Sequence, residues 1–278
     1  MLGTSAGRTP RGEDCVNPLA GHTNTYHTYG FEEALEGIAA AGYRYVELSA
    51  VPGWTEHVDL STPPAEVRGV LERHGLEAVS LSGHSDLTTR EGLDHGIAAV
   101  LWAAEYGLPI VNTAVGGHQS ADENEAAFLG NIAELADAAE SAGVVVALEI
   151  HGDIMASSDV TLPLLEKIGR ESVQVNYDTA NVEFYSGEKA VDDLPKIVPH
   201  LAHVHLKDTT GGKGNWNFPA IGSGVVDFGR VLAILRDAGY TGPYSVELEF
   251  QGEPWPPLTD VTEAMRRSRE HLNALGLE

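Results

Sequence analysis

Short apolar runs alternate with longer amphipathic segments along the chain from about residue 15. The runs cover residues 15–22, 43–48, 76–82, 109–113, 144–151, 172–178, 201–207 and 244–250. Each run has the length of a buried β-strand, whereas the segments between them carry apolar residues at spacings of three and four, which predicts helices. The predicted helices cover residues 31–42, 64–74, 90–106, 122–142, 158–168, 188–198, 228–238 and 260–275.

Glycine ends several of these helices and is followed at once by the apolar residue that begins the next strand. Gly42, Gly143 and Gly239 all lie in such a position. Glycine just past a helix end accepts the left-handed conformation that stops the helix. A strand and a helix repeated eight times without a break in composition predict an α/β fold, a single (β/α)8 TIM barrel, rather than a doubly wound sheet. We therefore expect a flexible N-terminal arm at 1–14 and one catalytic barrel domain at 15–278.

Charge and composition narrow the possible partners. The chain has 17 Lys+Arg against 41 Asp+Glu, a formal net charge of −24, which would repel nucleic acid and anionic lipid surfaces. Its one cysteine, Cys15, excludes an intrachain disulfide. No stretch approaches the roughly 18 apolar residues of a membrane span, and the first residues lack the apolar run of a secretory signal. These features predict a cytoplasmic protein that binds neither nucleic acid nor membranes.

The candidate chemistry lies at the carboxyl ends of the last four predicted strands, where barrels of this kind place their active residues. Acidic and histidine side chains there are Glu149, His151, Asp178, His203, His205, Glu247 and Glu249. Lys207 shares the inward face of its strand with the two neighbouring histidines, because side chains alternate along a strand. Buried carboxylates are costly unless they are paired or bind a metal. The set suits one divalent cation, with Mn²⁺ first and Co²⁺, Mg²⁺ or Zn²⁺ as alternatives.

Loops after the other strands supply groups that can line a sugar site. The polar candidates are His22, Tyr26, His84, Asn112 and His118, and the aromatic candidates for stacking are Trp54, Trp216, Phe218 and Trp255. The glycine-rich segment 211–218 around Trp216 is typical of a lid. Only Lys207 and Lys213 bring positive charge near the predicted site, so no phosphate clamp is expected and a neutral sugar is favoured.

At these residues the chain resembles the xylose isomerase-like superfamily, often called sugar phosphate isomerases/epimerases, over nearly its whole length from about residue 15. The resemblance implies that Glu149, Asp178, His205 and Glu247 bind one divalent metal ion. The sequence His-Val-His-Leu-Lys-Asp at 203–208, with the segments 221–228 and 246–249, is also similar to inosose dehydratases.

Two positions depart from the ketose 3-epimerases of this superfamily. Asn181 lies three residues after Asp178, where those epimerases commonly have histidine, and Gly211 lies six residues after His205, where they have arginine. Both differences argue against an epimerase.

We therefore expect a metal-dependent enzyme that removes the α-proton of a neutral keto-sugar, keto-glycoside or cyclitol and that favours β-elimination, as a lyase does. Glu149 or Glu247 would be the base, and His151 or Lys207 the acid. Asn181 and Glu249 join the residues expected to bind substrate.

Other functions remain open at the level of sequence. A sugar isomerase or epimerase would use the same enediolate, and a non-catalytic sugar-binding subunit would bind metal without turnover. A zinc-dependent DNA-repair endonuclease of the same fold is disfavoured by the charge of −24. A homo-oligomer and a small partner subunit are both compatible with the chain.

Overall fold

The structure is a computed structural model that describes residues 17–116 and 121–278. Cys15, His118 and the expected arm at 1–14 lie outside the described residues. Parallel strands close into a barrel in chain order, and the first strand pairs with the eighth as well as with the second. The strands are β1 (Leu19–His22), β2 (Tyr45–Ser49), β3 (Glu77–Ser82), β4 (Ile110–Thr113), β5 (Val145–Glu149), β6 (Val173–Asp178), β7 (Leu201–Leu206) and β8 (Tyr244–Val246).

Helices connect the strands and surround the barrel. They are α1 (Phe31–Ala40), α2 (Pro64–His74), α3 (Arg90–Tyr106), α4 (Ala121–Ala142), α5 (Ser158–Ile168), α6 (Asn181–Tyr185), α7 (Ala190–Ile197), α8 (Phe228–Asp237) and α9 (Leu258–Ala274). Short 3₁₀ helices at Thr23–Tyr26 and Val198–His200 complete the regular structure of the described residues. The predicted (β/α)8 barrel is therefore confirmed.

Helix α3 shows how local sequence sets the boundaries of an element. The hydroxyl of Thr89 accepts a hydrogen bond from the backbone N–H of Gly92, which satisfies one of the free donors of the first turn. Gly107 ends the helix with a φ of 90°, a left-handed conformation that favours glycine. The chain then enters β4 within a few residues, as the predicted glycine signal requires.

The two faces of each strand have different roles. In β7, Val204 and Leu206 join the hydrophobic core between the barrel and its helices, whereas His203 and His205 point into the barrel. All four are buried. The core therefore holds the strands from outside, and the polar inner face remains available for a site.

Two details of the barrel differ from the sequence prediction. Strand β8 ends at Val246, so Glu247 and Glu249 follow the strand rather than belong to it. The short helix α6 was not predicted; it begins where Asp178 Oδ1 accepts the backbone N–H groups of Ala180 and Asn181. Among the described residues, no helix combines the length and the apolar character needed to cross a membrane.

Candidate active site

Four side chains from adjacent strands converge at the carboxyl end of the barrel. Glu149 ends β5, Asp178 ends β6, His205 lies near the end of β7, and Glu247 follows β8 directly. One donor atom from each lies within 4.8 Å of the other three. All four residues are at most 5% exposed. These are the four residues predicted as metal ligands.

Two atoms of this cluster show that the residues fit a metal ion. His205 Nδ1 lies 3.6 Å from Glu149 Oε1 and 3.7 Å from Glu247 Oε2, and it makes no hydrogen bond to any described residue. Asp178 Oδ2 is likewise buried without a hydrogen bond within the described part of the chain. Buried polar atoms are normally paired, and three carboxylates with one imidazole are ligands that divalent cations accept. The cluster can therefore hold one divalent metal ion.

Neighbouring N–H groups fix the orientation of two candidate metal ligands, Asp178 and Glu149. Asp178 Oδ1 accepts hydrogen bonds of 2.8 and 2.9 Å from the backbone N–H groups of Ala180 and Asn181. The side-chain amide of Asn181 donates to Glu149 Oε1 at 2.9 Å. One carboxylate oxygen of Asp178 is thus used for capping α6, which leaves Oδ2 for the cluster.

Glu247 is held from the opposite side of the site. Its Oε1 lies 2.9 Å from His22 Nδ1 and accepts a 2.8 Å hydrogen bond from the amide of Asn24. The amide oxygen of Asn24 accepts in turn from the indole N–H of Trp54 at 2.9 Å and from the hydroxyl of Thr55 at 2.6 Å. The loop after β2 is therefore linked to a candidate metal ligand through one residue.

Lys207 is a buried cation in contact with the carboxylates. Its Nζ lies 2.5 Å from Glu249 Oε2, 3.1 Å from Glu247 Oε2 and 3.7 Å from Asp178 Oδ2. It also lies 4.4 Å from the centre of the Phe218 ring. Although burial alone would lower the pKa of Lys207, these carboxylates hold it well above its usual range. The side chain is therefore a fixed positive charge.

Burial opposes the ionisation of two carboxyl groups at the site, those of Asp178 and Glu249. Desolvation raises the pKa of Asp178 to about 7, despite the opposing effect of the Lys207 ammonium, and desolvation also raises the pKa of Glu249. The Lys207 ammonium therefore balances only part of the negative charge of these carboxylates.

A cavity of about 260 Å³ opens above the cluster. Its lining residues are His22, Asn24, Val51, Trp54, Ser82, His84, Glu149, His151, Asn181, Tyr185, Lys207, Trp216, Glu247 and Glu249. Of the four cluster residues, Glu149 and Glu247 line the cavity. Asp178 and His205 are fully buried and are absent from its lining. A ligand in the cavity would meet the carboxylates of Glu149 and Glu247 first.

Of the residues expected at a sugar site, Tyr26, Asn112, Phe218 and Trp255 do not line this cavity, but most of the others do. His22, His84, His151, Asn181, Lys207, Trp216 and Glu249 all do. Asn112 is fully buried within the barrel, where its amide donates to Glu47 at 2.5 Å, and it is absent from the cavity lining. It is too deep to touch a ligand in this cavity. His118 lies outside the described residues.

Two histidines form one wall of the cavity. His84 Nε2 lies 2.9 Å from Glu149 Oε2. His151 Nε2 lies 3.0 Å from the hydroxyl of Tyr185, and their rings meet edge to face. These groups place ring nitrogens and a hydroxyl beside a candidate ligand.

His203 has a different place from its neighbour in β7. Its Nδ1 lies 3.0 Å from Asn176 Oδ1, and its Nε2 lies 3.1 and 3.2 Å from the hydroxyls of Ser80 and Ser245. Burial lowers the pKa of His203 to about 3, so the ring is neutral. It lies on the inward face of β7, as the alternation of side chains predicted, and it supports the barrel interior below the site.

Sequence reasoning missed several residues of the site, among them Val51 and Ser82 of the cavity lining. Asn24 holds Glu247, Tyr185 lines the cavity from the unpredicted helix α6, and Glu47 of β2 contacts His205 inside the barrel. A signal for Glu47 was present, because its position between Val46 and Leu48 gives it the inward face of an otherwise apolar strand.

Comparisons with known proteins agree with this architecture. A family model described as "Xylose isomerase-like TIM barrel" matches residues 35–274. An L-ribulose-5-phosphate 3-epimerase, UlaE, of Salmonella paratyphi B is 30% identical over 201 residues, which are 71% of this chain and 69% of that protein.

Solved structures share the fold at lower identity. A D-allulose 3-epimerase from Methylomonas sp. in complex with D-allulose is 22% identical with a TM-score of 0.73, covering 93% of this chain and 96% of its own. The probable 3-DHS dehydratase AsbF from Bacillus anthracis is 17% identical with a TM-score of 0.72, covering 92% and 98%. The chain belongs to the xylose isomerase-like TIM barrel family.

Proposed function

We propose that this protein is a divalent-metal-dependent sugar epimerase or isomerase that moves the α-proton of a neutral ketose through an enediolate. One observation carries the proposal: Glu149 and Glu247 belong to the candidate metal cluster and also line the cavity. They are the two carboxylates that can both hold a metal ion and reach a substrate proton.

The positions of the two carboxylates suit proton transfer on both faces of a planar intermediate. Glu149 ends β5, and Glu247 follows β8, three strands further around the barrel. They therefore approach the cavity from different sides. One would remove the α-proton and the other would return a proton to the opposite face, which is epimerisation. Asn181 on Glu149 and His22 with Asn24 on Glu247 hold the reacting groups in place.

The cluster would hold the metal through Glu149, Asp178, His205 and Glu247, and Mn²⁺ is our first choice. A bound divalent cation would supply Lewis-acid polarisation of the ketose carbonyl and its neighbouring hydroxyl. Lys207 and His151 line the same cavity and offer N–H groups to substrate oxygens.

The cavity favours a neutral substrate. Lys207 is the only lysine or arginine among the described lining residues, and Glu247 and Glu249 already engage it. A phosphate group would lack the cluster of donors that usually binds it. Trp54 and Trp216, which are 45% and 37% exposed, line the cavity and offer apolar ring faces to a sugar. The expected substrate therefore differs from the sugar phosphate in the name of the L-ribulose-5-phosphate 3-epimerase relatives.

β-Elimination, which the sequence prediction favoured, has less support than epimerisation. The relatives with 30% identity are epimerases, whereas the dehydratase neighbour, at 17%, supports only the fold. Asn181 stands at the position where epimerases commonly have histidine, yet it still lines the cavity and holds Glu149. The departure changes a contact to substrate and leaves the proton-transfer pair intact.

The test is product analysis with the Mn²⁺-loaded protein and a panel of free ketoses, ketose phosphates, cyclitols and keto-glycosides. We expect ¹³C NMR to show a saturated C3 epimer or an aldose from a neutral ketose. Glu149→Gln and Glu247→Gln should each lower kcat by at least about 100-fold, in the range that acid–base groups contribute. An unsaturated or aglycone-free product would instead establish a lyase, and metal binding without any product would establish a binding subunit.

A further inference from the structure

Glu47 is a buried carboxylate that the proposed chemistry does not use. It points from β2 into the barrel, is 0% exposed and is absent from the residues that line the cavity. Its Oε2 lies 3.0 Å from His205 Nε2, and its Oε1 accepts the amide hydrogen of Asn112 at 2.5 Å. A carboxylate this deep is costly without a specific partner, so its partners indicate its role.

The imidazole of His205 lies between Glu47 and the candidate metal ligands. Nε2 faces Glu47, whereas Nδ1 faces Glu149 and Glu247 at 3.6 and 3.7 Å and makes no hydrogen bond to any described residue. A neutral imidazole carries one N–H, and a metal needs the lone pair of the other nitrogen. An acceptor at Nε2 keeps the proton there and leaves the Nδ1 lone pair for the metal.

We infer that Glu47 is a positioning residue for the metal centre, because it fixes the tautomer and the ring orientation of His205. The inference rests on the metal site of the proposed function and goes beyond it by naming a residue that touches neither metal nor substrate. A metal-bound histidine usually donates its second N–H to a carboxylate or carbonyl group, and loss of that partner weakens metal binding.

The surroundings of Glu47 favour His205 over the other nearby histidines. His203 Nε2 is 3.5 Å from Glu47 Oε2, but that nitrogen lies within hydrogen-bond distance of Ser80 and Ser245. His22 Nε2 is farther, at 3.9 Å from Glu47 Oε1. Asn112 orients the carboxylate from its other side. The 3.0 Å contact with His205 is therefore the shortest contact that Glu47 makes with a histidine.

A second role for Glu47 makes a different prediction. Donor atoms of His22, Glu47 and His205 also lie within 4.8 Å of one another, an arrangement that could bind a second ion directly. If Glu47 positions His205, the protein binds one Mn²⁺ per chain, and loss of Glu47 weakens that one site. If Glu47 is a ligand, the protein binds two, and loss of Glu47 removes one of them.

The experiment titrates Mn²⁺ calorimetrically into metal-stripped wild-type protein, Glu47→Ala and Glu47→Gln. Ser49→Ala is the matched control, because Ser49 shares the buried inner face of β2 and donates to Thr55 instead. We expect one ion per chain and a Kd about 10–100-fold weaker in Glu47→Ala. The carbonyl oxygen of a glutamine side chain can still accept from Nε2–H, so Glu47→Gln should recover part of the affinity. Ser49→Ala should match the wild type.

A spectroscopic readout separates positioning from a general structural effect. In Zn²⁺-loaded wild type, ¹⁵N-histidine NMR should show His205 protonated at Nε2, and Glu47→Ala should broaden or shift that signal. Thermal unfolding in EDTA reports whether each variant folds. If Glu47→Ala does not fold, the Mn²⁺ affinity and the NMR signal are compared between the wild type and Glu47→Gln.

Unchanged Kd in both Glu47 variants, or a second Mn²⁺ lost on substitution, would overturn the inference. Tight Mn²⁺ binding by a wild type that turns over no ketose would overturn the proposed function alone. A wild type that binds no Mn²⁺ would overturn both.

Discussion

At the scale of single residues, the site depends on the balance between buried carboxylates and one buried cation. Glu247, Glu249 and Asp178 each have an oxygen 3.7 Å or less from Lys207 Nζ. The sequence analysis expected either this lysine or His151 to be the catalytic acid, and the contacts of Lys207 assign it at least an electrostatic role. Without it, three carboxylates would face one another in a low-dielectric interior.

Replacement of Lys207 by methionine tests that role. We expect Lys207→Met to lower the free energy of unfolding of the metal-free protein by about 3 kcal/mol, because the substitution leaves buried charges without their partner. Mn²⁺ binding should be retained, since the ligands remain. Urea denaturation in EDTA measures the change, and Lys213→Met, in the exposed part of the following loop, is the control. A loss as small as that of the control would show that Lys207 does not balance the carboxylates.

Sequence reasoning found some site residues and missed others for a physical reason. Glu149, Asp178, His205 and Glu247 were identifiable because similar chemistry recurs at the ends of successive strands. Glu47 has no such repetition: its inward position could be inferred from the strand pattern, but its contact with His205 appears only when the barrel places β2 opposite the Nε2 side of that ring. Asn112 was expected to bind substrate, but its depth in the barrel depends on strand packing that the sequence does not reveal.

At the scale of elements, the segment after β7 is positioned by one carboxylate. Asp208 is fully buried and accepts four backbone N–H groups. The donors, at 2.8 to 3.1 Å, are those of Thr209, Gly222, Gly224 and Val226. The segment so closed carries Trp216 and also Phe218, whose ring lies against Lys207 and whose backbone pairs with Glu249. Asp208 therefore connects loop geometry to the cavity wall.

Loss of Asp208 should loosen this segment selectively. We expect Asp208→Ala to destabilise the fold by about 3 kcal/mol, because several buried N–H groups lose their acceptor. Asp208→Asn should cost less, since one of the two oxygens remains. Hydrogen exchange should accelerate most at the amides of Gly222, Gly224 and Val226. Asp237→Ala, at the exposed end of α8, is the control, and unchanged protection of those amides would contradict this account.

Some helices and strands could be predicted from the sequence, and others could not. Strands buried on both sides and helices with a glycine end signal were predictable, because their pattern is local. The short α6 was not, since its first N–H groups are capped by Asp178 from inside the site. Strand β8 was predicted too long because the N–H groups that would extend it bond elsewhere: Leu248 N–H, on the side of β1, donates to Thr25 Oγ1, and Glu249 N–H, on the side of β7, donates to the carbonyl of Phe218.

At the scale of the whole molecule, the barrel brings residues from distant parts of the chain to one end. His22 and Glu247 are 225 residues apart in sequence and 2.9 Å apart in space. The closed order of strands makes this contact possible, because β1 pairs with β8. The fold class therefore predicted where the site would lie, and the packing of loops determined which side chains enter it.

The central claim is that the four-residue cluster holds a metal ion needed for proton transfer at a ketose. The most direct measurement is ¹H NMR of solvent deuterium entering C1 or C3 of the ketose that the product screen identifies. Mn²⁺-loaded protein should catalyse the exchange, EDTA-stripped protein should lose at least about 100-fold of the rate, and added Mn²⁺ should restore it. Exchange that continues at the full rate in stripped protein free of residual metal would contradict the account.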